Sequence, residues 1–155
     1  MSKFPSKVEK YCAQNGIRLT SRRRQVLNEL LASKKALSAY ELVETCNNQN
    51  EKNISAMSIY RILQFLEEQH LAHKLNLANK YVACSHIMCD HEHDNSQFLI
   101  CGECDKVKEI NVSSSIMAAL KTSIEKANFK LVAPQLEINC LCDPCNEKKI
   151  REKSK

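Results

Sequence analysis

Apolar positions in the first part of the chain recur at three- and four-residue intervals, the spacing of one helical face. Ser6 to Asn15 predicts a short helix ending at Gly16, which offers the left-handed backbone that helix ends favour. Thr20 is a natural N-cap, and from Ser21 to Ala32 the residues Val26, Leu27, Leu30 and Leu31 fall on one face. Ser38-Ala39-Tyr40-Glu41 has the form of a capping box and opens a third helix through Leu42, Val43 and Cys46. Asn47 to Asn53 reads as a polar loop. Ser55 then caps a fourth helix, in which Ile59, Ile62, Leu63 and Leu66 point inward while Tyr60, Arg61 and Gln64 share another face.

The period changes after His70. Leu71 to Leu75 and Lys80 to Cys84, joined by the turn-prone Asn76 to Asn79, predict a β-hairpin. Two helices joined by a polar connection, the second exposing Tyr, Arg and Gln, with a hairpin after it, describe a winged helix-turn-helix. Ser85 to Asn95 has no periodicity but gathers His86, Cys89, Asp90, His91, Glu92, His93 and Asp94. Beyond it, Gln97 to Ile100 and Val107 to Ile110 read as strands, and Ser113 to Ala127 as an amphipathic helix. Lys130 to Val132 and Leu136 to Ile138 read as extended segments, and Glu147 to Lys155 as a charged tail with a frayed helix. The fold class is α+β. Residues 1–84 form the winged-helix domain, 85–94 a ligand-bearing hinge, and 95–155 a small α/β dimerisation domain with a charged tail.

Charge sharpens this division. Net charge is +5, and residues 1–75 carry 12 Lys+Arg against 7 Asp+Glu, whereas residues 76–155 carry 11 of each. The excess positive charge lies in the first half, which points to an anionic partner there, nucleic acid rather than membrane. Arg22, Arg23 and Arg24 open the second helix, where the helix dipole disfavours cations; a solvated charge run and phosphate contact are the two readings. No signal-peptide pattern and no membrane span appear, so a cytoplasmic protein is expected.

Nine cysteines complete the inventory, an odd count that excludes full intramolecular pairing. Two Cys-x-x-Cys hooks, Cys101-Gly102-Glu103-Cys104 and Cys142-Asp143-Pro144-Cys145, are separated by 37 residues. Each sets two thiolates at the spacing of a tetrahedral Zn²⁺, and together they complete a closed four-sulfur site with no open position for chemistry. Buried free thiols and redox dithiols are the competing readings.

In this order the parts resemble the ferric uptake regulator family, most closely its zinc-sensing branch. The resemblance rests on Arg18-Leu19-Thr20, Ser38-Ala39-Tyr40, Ser58-Ile59-Tyr60-Arg61, His73-Lys74, Tyr81-Val82-Ala83-Cys84, Phe98 to Cys104, Val107-Lys108-Glu109 and Cys142 to Cys145. It departs from the family pattern at Ser21, where Pro is frequent, at Ser58, where Thr is usual, and at Asn139-Cys140, where some members carry a histidine. It implies a homodimeric, metal-dependent transcriptional repressor of metal-uptake genes that binds a double-stranded DNA operator arranged as an inverted repeat. No small-molecule substrate or membrane is expected.

The residue types then propose a second, regulatory zinc site matching that branch. His73, Cys84, His91 or His93, and Glu109 would supply two nitrogens, a sulfur and an oxygen, giving two Zn²⁺ per chain with the clamp. A thiolate favours zinc over iron, and no histidine precedes His70 to serve the iron branch's helical ligand. Each ligand also has an ordinary reading as a core or exposed residue. His86 and Cys89 are auxiliary candidates, and Cys12, Cys46 and Cys140 are incidental thiols. On DNA, Tyr60 would pack on a thymine methyl and Arg61 would read guanine or hold phosphate, with Ser58 beside them and Tyr40 and Arg22 to Arg24 contacting the DNA backbone. Zinc would fix the angle between the halves. The alternatives are an iron- or peroxide-sensing regulator on the same scaffold, or a zinc-dependent or thiol-redox enzyme. An enzyme is disfavoured: His-Glu-x-x-His is absent, and His91-Glu92-His93 lacks the nucleobase-deaminase arrangement.

Overall fold

The computed structural model describes residues 5–49, 53–88, 96–133 and 135–154. The chain divides into two units, residues 1–90 and 91–155.

In the first unit, capped helices converge on one apolar core. Helix α1 (Ser6–Gln14) ends at Asn15, and Gly16 takes the left-handed conformation (φ 65°) that turns the chain back. Helix α2 (Ser21–Ala32) starts where the Thr20 side chain accepts from the Arg23 N–H. Helix α3 (Ala39–Asn48) opens with the full capping box: Ser38 Oγ accepts from the Glu41 N–H at 3.2 Å, and Glu41 Oε2 accepts from the Ser38 N–H at 2.7 Å. Helix α4 (Ala56–Glu68) is capped by Ser55, which accepts from the Ser58 N–H. Their inward stripes meet, so that Val8, Val26, Leu27, Leu42, Ile59, Leu63 and Leu66 are buried together.

Between α3 and α4 the Asn47 carboxamide grips the backbone of Ile54 twice. Its Oδ1 accepts from the Ile54 N–H at 2.7 Å and its Nδ2 donates to the Ile54 carbonyl at 3.2 Å. Strands β1 (Ala72–Leu75) and β2 (Lys80–Ala83) form the antiparallel wing, with His73 opposite Val82. Leu37 adds a bridge to Tyr81, donating to its carbonyl at 2.9 Å and accepting from its N–H at 2.8 Å.

The second unit carries β3 (Ser96–Cys101), β4 (Val107–Asn111), α5 (Ser114–Lys126), β5 (Glu137–Cys140) and α6 (Asp143–Lys153). The sheet order is β4-β3-β5, antiparallel on one side of β3 and parallel on the other. Among the described residues only Phe98, Ile100, Cys101, Met117 and Gln97 are buried here, and Ile116, Phe129, Val132, Ile138, Leu141 and Ile150 stand exposed. The buried Gln97 is satisfied: it accepts from the Leu136 N–H and donates to Met117 Sδ at 3.6 Å.

Four local expectations change. Helix α3 runs one residue past Asn47, because Asn47 can hold Ile54 from within the helix. Ser85–Met88 forms a 3-10 turn rather than open linker, and its Ile87 is 5% exposed within the first unit's core. The tail is drawn into a continuous helix from Asp143 to Lys153, with Pro144 in its first turn where a missing N–H costs nothing. Lys130 to Val132 joins no strand: Val132 is 94% exposed, and β5 pairing starts only at Glu137.

Candidate functional site

The second unit's sheet draws the two cysteine hooks together. Cys101 ends β3 beside Cys140 of β5, in parallel register. The chain after Cys101 turns tightly: Asp105 adopts φ 58°, its N–H donates to the Cys101 carbonyl at 3.0 Å, and Gly102 N–H donates to the Cys140 carbonyl at 3.0 Å. On the other side Cys142 is the N-cap of α6 and Cys145 lies in its first turn. The Cys142 N–H points at Cys101 Sγ (3.4 Å), and Cys104 Sγ lies 3.7 Å from Cys142 Sγ.

All four sulfurs lie within 4.8 Å of one another. Zn–S bonds of about 2.3 Å at tetrahedral angles separate sulfurs by about 3.8 Å, so the residues present fit a zinc ion held by four thiolates. Their acidities agree. The N–H groups of Cys142, Cys104 and Glu103 lower the Cys101 thiol to about 6. Cys145, hydrogen-bonded first by Cys142 and crowded by the other sulfurs, is pushed up to about 12. A set of four thiolates therefore needs a cation to exist near neutral pH. Outside the sulfurs, Lys149 Nζ meets Glu103 Oε1 at 2.6 Å and braces α6 against the turn. Both side chains are nearly half exposed, so this pair adds little.

Of the regulatory candidates, His73 lies on β1 and Cys84 follows β2, where its N–H donates to the Leu71 carbonyl at 3.0 Å. Their ligating atoms lie within 4.8 Å of each other, and Cys84 is fully buried. Glu109 sits on β4 of the second unit, opposite Phe98. His91, His93 and Cys89 lie outside the described residues, and His86 lies on the 3-10 turn. Cys12 and Cys46 are buried; burial raises both thiols, that of Cys46 to about 11, which makes them unreactive core residues. Cys140 is half-buried on β5.

The candidate nucleic-acid contacts separate into surface and scaffold. Tyr60 and Arg61 are exposed on α4, and Tyr40 is 70% exposed in the first turn of α3. Ser58 is half-buried, and its hydroxyl accepts from Ser55 Oγ at 3.0 Å within the helix cap. Arg22 is exposed. Arg23 is committed within the fold: its guanidinium lies 3.5 Å from the Phe65 ring centroid and donates to the Arg18 carbonyl. Arg24 pairs with Glu9 at 2.7 Å, which ties α2 to α1. The sequence reading missed Met57, 64% exposed on the same α4 surface as Tyr60 and Arg61; the signal was their spacing, three and four residues beyond it.

The ferric uptake regulator family model matches residues 14–139. The zinc uptake regulation protein of Escherichia coli (strain K12) is 34% identical over 142 residues, 92% of this chain and 81% of the relative. Among solved structures, a zinc uptake regulator complexed with zinc and DNA aligns with TM-score 0.79 and 32% identity over 94% of both chains. The holo form of XcZur aligns with TM-score 0.73 and 30% identity over 92% of this chain and 96% of that one.

Proposed function

The chain belongs to the ferric uptake regulator family, and from that premise we propose that it is a zinc-responsive, DNA-binding transcriptional repressor of metal-uptake genes. The observation that carries this reading is its likeness, over 94% of both chains, to a zinc uptake regulator complexed with zinc and DNA. Two zinc ions bind per chain. A structural ion is held by Cys101, Cys104, Cys142 and Cys145, which fit a closed site. A regulatory ion takes His73, Cys84, His91 or His93, and Glu109. Zinc at such a mixed set supplies coordination energy that differs between DNA-competent and incompetent states, and about 5.5 kcal/mol of difference turns a 1:99 population into 99:1.

The active species is a homodimer built by the second unit. Support comes from the sparse burial there: Phe129 at 74% and Ile116 at 60% exposure lie in a unit where few of the described residues are buried, which calls for a partner surface. The exposed residues of the first unit meet the operator. Tyr60 and Arg61 of α4 read bases, Tyr40, Arg22 and the cap residue Ser58 lie beside the backbone, and Arg23 and Arg24 position α2.

Selection from random duplex DNA with full-length chain, with and without Zn²⁺ or Fe²⁺, tests the proposal. Zinc-dependent enrichment of an inverted repeat is expected. Cys84→Ala should abolish that dependence and leave one tightly held zinc by elemental analysis. Enrichment with Fe²⁺ and not Zn²⁺ would replace the zinc reading by the iron one.

A further inference from the structure

The sequence divides α4 into an inward stripe and an outward one, and the outward stripe begins with a residue that its packing does not explain. Met57 is a large apolar side chain left 64% exposed in the first turn. Tyr60 and Arg61 follow at helical spacing on the same surface, both exposed. The charge along the helix gives the stripe a direction. The first turn carries no acidic residue and its backbone N–H ends are electropositive, while the far end carries Glu67 and Glu68. Gln64, the next outward position, donates to Glu68 Oε1 at 3.0 Å and is thereby turned toward that acidic end. A polyanion is met by the first turn, where helix-turn-helix proteins make base contacts.

We propose that Met57 is a specificity-determining residue that packs on a thymine methyl in the major groove, beside the base pair addressed by Tyr60 and Arg61. This rests on the DNA-binding reading above and deepens it. Helical rise places Met57 about 4.5 Å along the axis from Tyr60, just over one base-pair step of about 3.4 Å. Met57 and Tyr60 are thus offset enough along the helix to meet different base pairs. A flexible thioether has no hydrogen-bonding demand to satisfy in the groove, and the C5 methyl of thymine is the apolar feature presented there.

The test is a double-mutant cycle on the selected operator with zinc-loaded, full-length protein. Each thymine is replaced singly by deoxyuridine, which removes only the methyl, and binding is measured for wild type, Met57→Ala and Met57→Leu. Wild type should lose about fourfold at one thymine per half-site, the worth of a buried methyl. Met57→Ala should lose that sensitivity, Met57→Leu should keep it, and Tyr60→Ala should lose sensitivity at a different thymine. Additive losses at every thymine, with zinc-dependent binding otherwise intact, overturn the Met57 assignment and leave the repressor reading standing. Absence of zinc-dependent binding to any duplex overturns both.

Discussion

Removing the metal from the four-cysteine clamp should unfold one half of the molecule and spare the other. The second unit's described apolar interior is small: Phe98, Ile100 and Met117 are the large apolar side chains buried in it. At roughly 1.5–3 kcal/mol each they contribute on the order of 5–9 kcal/mol before any entropy is charged. A structural zinc is worth about 10–16 kcal/mol of apparent binding free energy. Part of that is chain entropy: closing a loop with 37 residues between Cys104 and Cys142 is worth about 4 kcal/mol. The ion thus rivals the unit's apolar core, whereas the first unit has its own core of four packed helices and a hairpin. Hydrogen exchange read by mass spectrometry, before and after exhaustive chelation, distinguishes the two. Amides of β3, β4, β5, α5 and α6 should lose protection while those of α1 to α4 keep it. All four tyrosines lie in the first unit, so the near-ultraviolet circular dichroism of tyrosine should barely change. Cys142→Ser should reproduce the loss, and Cys140→Ser, outside the cluster, should not. Full protection of the second unit in protein shown by elemental analysis to be metal-free would refute the reasoning.

Ser38→Ala should cost about 1 kcal/mol by thermal melting, since it removes one arm of the α3 capping box. The Ser38 N–H holds the Glu41 carboxyl below its ordinary value, with Lys80 assisting. That stabilisation is therefore present above the normal carboxylate range and lost as pH falls through the lowered value, and Glu41→Gln should flatten this acid-side loss. Arg23→Ala should destabilise the fold by roughly 0.5–1 kcal/mol through the lost Phe65 stack, while Arg22→Ala should leave melting unchanged and reduce the salt dependence of DNA binding by about one ion. Leu63→Ala, at a fully buried position of α4, should cost about 2–5 kcal/mol in denaturant titration.

Much of this architecture could be read in advance because its determinants are local. Thr20, Ser38 and Ser55 announce three helix starts, and the apolar stripes behind them find one core. The cysteine hooks were equally legible, since a Cys-x-x-Cys turn fixes its own geometry and a zinc site needs two. What escaped was set at long range. Arg23 belongs to a run of three arginines, and only the approach of α2 to α4 gives it Phe65 as a partner. The Leu37–Tyr81 bridge joins residues 44 apart and leaves no period in the sequence. The burial of Ile87 depends on the first unit's core, while its surroundings in sequence are polar and rich in metal-binding types. Lys130 to Val132 reads as an extended segment, yet the parallel partner edge on β3 is occupied from Glu137 onward.

The double grip of Asn47 on Ile54 fixes both ends of the α3–α4 connection with one side chain. The two hydrogen bonds thereby carry the end of α3 to the approach of α4 directly, side chain to backbone. A peptide tag or a fluorophore-bearing insertion placed in the connection should be tolerated with operator affinity preserved, provided Asn47 is kept. Asn47→Ala, by contrast, would let the same graft swing the helix it was meant to report on. The connection is thus a natural mounting point for a sensor built on this protein, with a single carboxamide as its anchor.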